Sequence, residues 1–297
     1  MSEPELSIHD IEAIVDLDKY PIADSGSSAF AALICRCQED LASVGSVSLP
    51  GFIREFVISR MAAEVSELPA YNRLEIVNPY GLNAPTLQQQ VAPEQLNVGH
   101  PLVRKFPQDV HAVAEDCVPA GALIRRVYDS PIVASFLAKV LNIETLYRFA
   151  DEFQGLNIMY IYDGGNRAWH FDGSEFVVTL MLQPPLEGGE FEFSPFVRGA
   201  VEGGRRDEKF GEVSKVLAGQ HASGFKTQVK RSEAGTLNLF YGMRSLHRVR
   251  TVFGPRKRIM AVLSYHTDPE RTGTPATNVM LYGERVRKIY EERGLTI

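Results

Sequence analysis

Apolar positions recur at two different periods along this chain of 297 residues, and the change falls near Asn142. In the first third, Phe30, Leu33, Ile34, Cys37 and Leu41 fall three to four apart, so they share one helical stripe, and Asp24 to Ser28 supplies N-cap chemistry ahead of them. Val47 and Leu49 before the Pro50-Gly51 turn predict a short strand. Ile53, Val57, Met61, Val65 and Leu68 then predict a second helix. From Tyr71 to about His100 the pattern breaks up around Asn78-Pro79-Tyr80-Gly81 and Gln88-Gln89-Gln90, which predicts a long loop. Long loops in compact domains are often functional, so Arg73 and Asn83 are candidate substrate contacts there, against the plainer reading of solvated loop residues. A further helical region is expected from about Pro107 to Leu141, with Ser130-Pro131 as a start signal.

After Asn142 the runs become short, apolar or alternating, and are bounded by Gly, Pro, Asp and Asn. They cover Leu146 to Phe149, Leu156 to Tyr162, Glu175 to Leu182, Glu190 to Phe193, Thr227 to Lys230, Thr236 to Phe240, His247 to Val252 and Arg258 to Tyr265. Such a series of strands predicts a double-sheet jelly roll. The expected class is therefore α+β: a double-stranded β-helix (jelly roll, cupin-like) with flanking N-terminal helices and a C-terminal helix. Residues 1–142 form the helical region packing on the barrel, 143–270 the core and 271–297 the closing helix, all in one structural domain. Between Phe196 and Arg231 the chain is charged and glycine-rich, with a helical piece near Asp207 to Leu217. That insertion at 196–231 reads equally as a surface excursion or as a lid over the barrel mouth.

Composition narrows the partners. A formal net charge of −6 gives no basic field for nucleic acid or an anionic membrane. No run reaches the ~18 apolar residues of a membrane span, and the acidic start Met1-Ser2-Glu3-Pro4-Glu5 lacks signal-peptide chemistry, so a cytoplasmic location is expected. Cys35, Cys37 and Cys117 read as free thiols of a reducing compartment.

The candidate chemistry lies in Trp169-His170-Phe171-Asp172, read with His247, which lies 77 residues downstream of His170. On a strand, residues i and i+2 share a face, so His170 and Asp172 can aim an imidazole and a carboxylate at one ion. With His247 they make a two-histidine, one-carboxylate set, which leaves open positions on a non-haem Fe(II). A gap this long is expected if the two histidines come from strands at opposite ends of the roll. Arg258 opens the apolar strand Ile259 to Leu263. A guanidinium aimed into a barrel needs an anion, and its planar fork suits a carboxylate. Together these residues suggest an iron centre with an oxo-acid co-substrate.

On these residues the chain resembles the Fe(II)/2-oxoglutarate-dependent oxygenases. The stretch from Trp169 to Asp172, the turn Glu187-Gly188-Gly189-Glu190-Phe191, Ala234-Gly235-Thr236, Leu246-His247-Arg248-Val249 and Arg258 fall in that family's order. Within it the look-alikes are halogenases and hydroxylases of free amino acids, through His170 to Leu180, His100-Pro101-Leu102 and Leu281-Tyr282-Gly283-Glu284-Arg285. The halogenases have glycine where this chain has Asp172, so the resemblance implies a hydroxylase. It further implies Fe(II) on His170, Asp172 and His247, and 2-oxoglutarate paired with Arg258, with Thr179 and Tyr160 as second partners. Dioxygen would be the co-substrate, succinate and carbon dioxide by-products, and a free amino acid or related metabolite the substrate. Arg256 is a rival to Arg258. Trp169 is a packing residue or a substrate contact, and Asp151 with Glu152 could bind a substrate amine. A homodimer is the oligomeric expectation. His9, His100, His111, His221 and His266 read as structural.

Two other classes compete. A cupin-like metal enzyme without 2-oxoglutarate would use three histidines or an added glutamate, and Arg258 would lose its purpose. A metal-stabilised binding module would close the coordination sphere. Halogenation, desaturation and cyclisation share the scaffold with hydroxylation.

Overall fold

The computed structural model describes residues 11–80, 101–202, 205–220 and 227–295. Eleven strands form two antiparallel sheets. In chain order they are β1 (Ser46–Leu49), β2 (Tyr71–Val77), β3 (Phe106–Val113), β4 (Leu156–Ile161), β5 (Arg167–His170), β6 (Val177–Gln183), β7 (Phe191–Ser194), β8 (Gln228–Lys230), β9 (Leu237–Phe240), β10 (Leu246–Val249) and β11 (Arg258–Leu263). The larger sheet runs β1-β9-β6-β11-β4-β3-β2, and the smaller runs β8-β7-β10-β5. Helices α1 (Ser28–Val44), α2 (Glu55–Val65), α3 (Leu123–Tyr128) and α4 (Pro131–Leu141) precede the core strands, α5 (Phe210–Leu217) lies in the insertion, and α6 (Pro275–Tyr282) and α7 (Glu284–Glu292) follow. The result is a mixed helix-and-sheet fold of the jelly-roll kind. Among the described residues no helix is long and apolar enough to cross a membrane.

Local signals account for the helices that were legible. The Ser27 hydroxyl accepts from the Phe30 amide, and Gly45 ends α1 in the left-handed region at φ 75°. Ser130 caps α4 and Pro131 occupies its first turn. The buried stripes of α1, α2 and α4 pack onto one face of the larger sheet through Val178, Leu180, Ile259, Ala261, Leu237 and Leu239.

Two expectations fail at β2 and β3, which replace part of the expected 71–100 loop and of the expected 107–141 helix. Seven register pairs join them, from Tyr71–Ala112 to Val77–Phe106. The alternation of β2 is masked because its inward positions are polar, Arg73 and Glu75, while Leu74 and Ile76 face solvent at 72% and 68% exposure. The expected single C-terminal helix is two, broken at Gly283 (φ 73°), where a Cβ would meet the Tyr71 ring. These helices pack on Ala112, Phe153 and Met159 and close one end of the roll.

The sides of the larger sheet are set by register. Arg258 pairs with Ile161, Met260 with Met159, and Val262 with both Asn157 and Thr179. Those residues face the smaller sheet, while Ile158, Tyr160, Ile259 and Val178 face the helices.

Candidate metal centre and its chamber

β5 and β10 lie side by side in the smaller sheet, with His170 opposite His247. The long sequence gap therefore does not separate the histidines across the roll: it holds β6 and β9 of the larger sheet, β7 and β8 of the smaller and the insertion, and the chain returns to pair with its own ligand strand. Asp172 lies just past β5, and its amide donates to the Gly242 carbonyl at 3.2 Å. The His170 Nε2 lies 3.5 Å from one Asp172 oxygen, and the His247 Nε2 lies 3.3 Å from the other. Ligand atoms of the three side chains all lie within 4.8 Å of one another, so they could hold a metal ion.

The tautomers are fixed from behind. His170 Nδ1–H donates to the Ala168 carbonyl at 2.7 Å, and His247 Nδ1–H donates to the Ser245 carbonyl at 2.9 Å. Only a protonated Nδ1 can bond a carbonyl, so both Nε2 lone pairs are free and aimed at one point. Burial, with His247 and Arg167 nearby, pushes the His170 imidazole down to about 3, so it is neutral at physiological pH. Burial raises the Asp172 carboxyl, and imidazole N–H groups turned toward it would lower it further than burial raises it, so that the net direction is downward only while the imidazoles carry those protons. One Asp172 oxygen is buried without a hydrogen-bond partner. Gly242 makes room for this carboxylate, since a Cβ there would collide with it. Phe191 and Phe240 wall in His247 at 5.6 and 4.9 Å between ring centroids.

Arg258 is 4% exposed, its Nε has no hydrogen-bond partner, and among the described residues no carboxylate pairs with it. Burial pushes its guanidinium down to about 10. Gly189, at φ 68°, leaves its stem free: a Cβ there would lie 3.3 Å from the Arg258 Cδ. Thr179 shares this inner face. Arg256 is exposed and donates to the Pro185 carbonyl at 3.3 Å.

Three expected site residues lie elsewhere. Tyr160 faces the helices, where its hydroxyl donates to the Val65 carbonyl and accepts from the Leu68 amide; the side chains of β4 that enter the chamber are Asn157, Met159 and Ile161. Trp169 points to the outer side of the smaller sheet, packed with Leu102, Val213, Val216 and Leu246 and covered by the Arg248 guanidinium at 4.7 Å. Asp151 is 7% exposed, and its oxygens are committed to the Phe153, Gln154 and Gly273 amides and the Asn278 side chain. Such a knot leaves no acceptor for an amine. Glu152 pairs with Arg293 at the surface. Asn83, His9, His100 and His221 lie outside the described residues.

One group was missed. Strict alternation from His170 sends Arg167 outward, but the β5–β10 register slips between His170 and Arg167. That bulge turns Arg167 to the same side as His170, where Nη1 donates to Gln108 Oε1 at 2.8 Å. Burial, reinforced by Arg73, pushes its guanidinium down to about 9. Gln108 Nε2 donates to Glu75 Oε1 at 2.6 Å, and Arg73 meets the same oxygen at 2.8 Å.

Solved structures share this architecture. An oxidoreductase of the 2OG-Fe(II) oxygenase family from Burkholderia pseudomallei matches with a TM-score of 0.51 at 16% identity, over 80% of this chain and 92% of that one. The alpha ketoglutarate dependent epimerase SnoN of nogalamycin biosynthesis matches with a TM-score of 0.50 at 13% identity, over 80% of this chain and 83% of that one. A second structure of SnoN, in complex with Fe3+, alpha ketoglutarate and nogalamycin RO, matches with a TM-score of 0.50 at 14% identity, over 79% and 84%. The likeness is one of fold. No family model matches the chain, and no curated protein does.

Proposed function

We propose that the protein is a non-haem Fe(II)/2-oxoglutarate-dependent oxygenase, built on a double-stranded β-helix. It hydroxylates an unactivated C–H bond of a small polar metabolite in the cytoplasm, and the family resemblance points to a free amino acid. The observation that carries this reading is a pairing of two incomplete groups on facing sheets. Three ligand atoms converge with one Asp172 oxygen unpartnered, and on the inner face of the larger sheet a buried guanidinium has no carboxylate partner among the described residues. The donor set of two imidazoles and one carboxylate suits Fe(II) and leaves positions for co-substrates. A cupin-like enzyme without an oxo-acid leaves Arg258 unexplained.

In this reading His170, His247 and Asp172 hold Fe(II), and the Ala168 and Ser245 carbonyls keep both imidazoles in the coordinating tautomer. Arg258 receives the distal carboxylate of 2-oxoglutarate as a charge-assisted pair, with Thr179 beside it on the inner face. When bound, the iron and 2-oxoglutarate supply the oxidising power, with succinate and carbon dioxide released and one oxygen atom delivered to the substrate. Asp172 occupies the position a halide would need, which favours hydroxylation over halogenation. Phe191 and Phe240 keep the surroundings of His247 apolar, which limits water beside the ligands.

The test is binding first, turnover second. Anaerobic titration should give one Fe(II) per chain, lost in His170→Ala and His247→Ala, and one 2-oxoglutarate per iron. Under air, a panel of free amino acids should contain members that stimulate succinate release and gain one oxygen atom by mass spectrometry. Iron binding without any 2-oxoglutarate binding would refute the proposal.

A further inference from the structure

We propose that two copies of this chain associate through the free edge of β2, pairing that strand with itself about a two-fold axis at Leu74. β2 is the last strand of the larger sheet. Asp109, the β3 residue opposite Leu74, exchanges both of its backbone hydrogen bonds with Asn166 on its other side, at 3.1 and 3.0 Å. Leu74 and Asp109 are therefore a non-hydrogen-bonded pair, and the Leu74 N–H and C=O point away from the sheet. The ladder repeats every two residues, so Asn72 and Ile76 do the same. Among the described residues these backbone groups have no hydrogen-bond partner. The side chains agree: Leu74 and Ile76 stand 72% and 68% exposed on the outer face, an apolar edge of the kind that recruits another strand.

A second copy is the occupant because the strand is self-complementary in one register. Antiparallel pairing centred on Leu74 sets it against the partner's Leu74, Asn72 against the partner's Ile76, and Arg73 against the partner's Glu75. The three outward residues then all fall in hydrogen-bonded pairs, each exchanging two bonds. Inward-pointing charges usually block an edge; here they select the register. An axis on Arg73 or on Glu75 would oppose like charges, and one on Asn72 or Ile76 would leave both charges unmatched. Only the axis on Leu74 sets each guanidinium opposite a carboxylate. Arg73 gains from this, because its Nε is buried with no partner and its ion-pair partner Glu75 also accepts from Gln108. On the outer face, Leu74 and Ile76 of both copies meet as one apolar cluster. A two-fold contact closes on itself, so assembly stops at a dimer.

A contact of one seven-residue strand per copy falls among the small interfaces, below ~1,200 Å². Sedimentation equilibrium on the full chain across about 1–200 µM should therefore show monomer and dimer exchanging with a Kd of about 10 µM. Leu74→Lys removes the central apolar contact and places like charges on the axis, so it should weaken the dimer by about tenfold or more. Leu74→Glu should do the same, and mixing the two variants should recover dimer, since the axis then carries opposite charges. Leu74 is exposed in the single chain, so both variants should keep the parent's circular dichroism. Cross-linking reads the register. With Cys35→Ser removing the exposed thiol, Leu74→Cys should give a disulfide-linked dimer under mild oxidation, because paired α-carbons lie about 5.5 Å apart. Ile76→Cys is similarly exposed but stands more than roughly 13 Å from its mate, and should not. The inference is overturned by a monomer across the whole range, an assembly larger than a dimer, a dimer that Leu74→Lys leaves intact, a mixture of the Lys and Glu variants that stays monomeric, or equal cross-linking at both positions.

Discussion

Replacing Arg258 by methionine should make the empty protein more stable while weakening the binding of the proposed 2-oxoglutarate. The side chain is 4% exposed, flanked by Ile161, Val252 and the bare Gly189 backbone, and its Nε lacks a partner. Burial lowers the guanidinium by more than two pH units, to about 10, yet it stays charged at neutral pH. At 1.36 kcal/mol per pH unit, holding that charge costs the folded state about 3 kcal/mol. Methionine keeps the unbranched stem and adds no charge. The metal-free variant should therefore melt roughly 5 °C higher than the parent protein. Binding moves the other way. Losing one partner of a desolvated ion pair costs roughly 2–5 kcal/mol, which weakens 2-oxoglutarate by about 30-fold or more. The parent protein gains about 2.7 kcal/mol from co-substrate at a hundredfold excess over Kd, and the variant should gain almost nothing. Thermal melts with and without 2-oxoglutarate, and calorimetry on the Fe(II) form, read both effects. A variant that melts lower than the parent and binds 2-oxoglutarate within threefold of it would refute the reasoning.

Other consequences are simpler to state. Asp172→Gly vacates one ligand position beside Gly242, so with iron retained and chloride present, mass spectrometry should detect chlorinated product; bound iron with no chlorinated species rules out halide entry there. Tyr160→Phe removes hydrogen bonds to Val65 and Leu68 behind the larger sheet and should cost about 1–3 kcal/mol in urea unfolding. Its 2-oxoglutarate affinity should be unchanged, and a tenfold loss would return Tyr160 to the cofactor site. Acid should weaken the metal-free fold: the unfolded His170 imidazole takes a proton near 6.5, while the folded one stays neutral to about 3. Between those values the unfolded state binds more protons, so the stability is full above about pH 6.5 and declines as pH falls through that window. Unfolding free energy against pH should be flatter in His170→Gln, and parallel curves would exclude the assignment.

The candidate metal cluster was legible because its signal is local. His170 and Asp172 are two residues apart, and His247 and Arg258 open or sit within apolar strands whose neighbours alternate cleanly. The strands after Asn142 and the capped helices α1 and α4 were readable for the same reason. What escaped depends on contacts distant in sequence. β2 was hidden because its inward residues are charged, and only pairing with β3 reveals which side they face. Alternation left the inward face of β4 open between Tyr160 with Tyr162 and their neighbours. Helix packing decides it: Leu156, Ile158 and Tyr160 join the helix-side core, so Asn157, Met159 and Ile161 turn inward. Arg167 was lost to a one-residue register slip, which no periodicity records. Asp151 shows the opposite failure: a carboxylate ahead of a core strand reads as a ligand contact until five hydrogen bonds to Phe153, Gln154, Gly273 and Asn278 account for it.

The insertion between Phe196 and Arg231 has a packed part. Its described residues Val197, Val213, Val216 and Leu217 pack with Trp169 and Leu246 against the outer side of the smaller sheet, away from the chamber. From there it reaches Phe171, the residue between His170 and Asp172. The Arg198 guanidinium lies 3.9 Å from the Phe171 ring centroid and is held by Glu208 at 2.8 Å, while Tyr80 meets the same ring at 5.4 Å. Neighbouring residues of an extended segment point to opposite sides, so fixing Phe171 outside fixes the directions of both ligands inside. On the partner strand, Glu192 lies buried beneath Arg248 and Arg250, and its bonds to both arginines hold its carboxyl below the ordinary range despite burial. His247 is thereby braced on its outer side as well. Metal ligands need such rigid support to keep open positions open, because a loose carboxylate or imidazole would swing to close them. The charge and glycine content that suggested a mobile cover belongs, in its described part, to the buttress that holds the ligand strands in place.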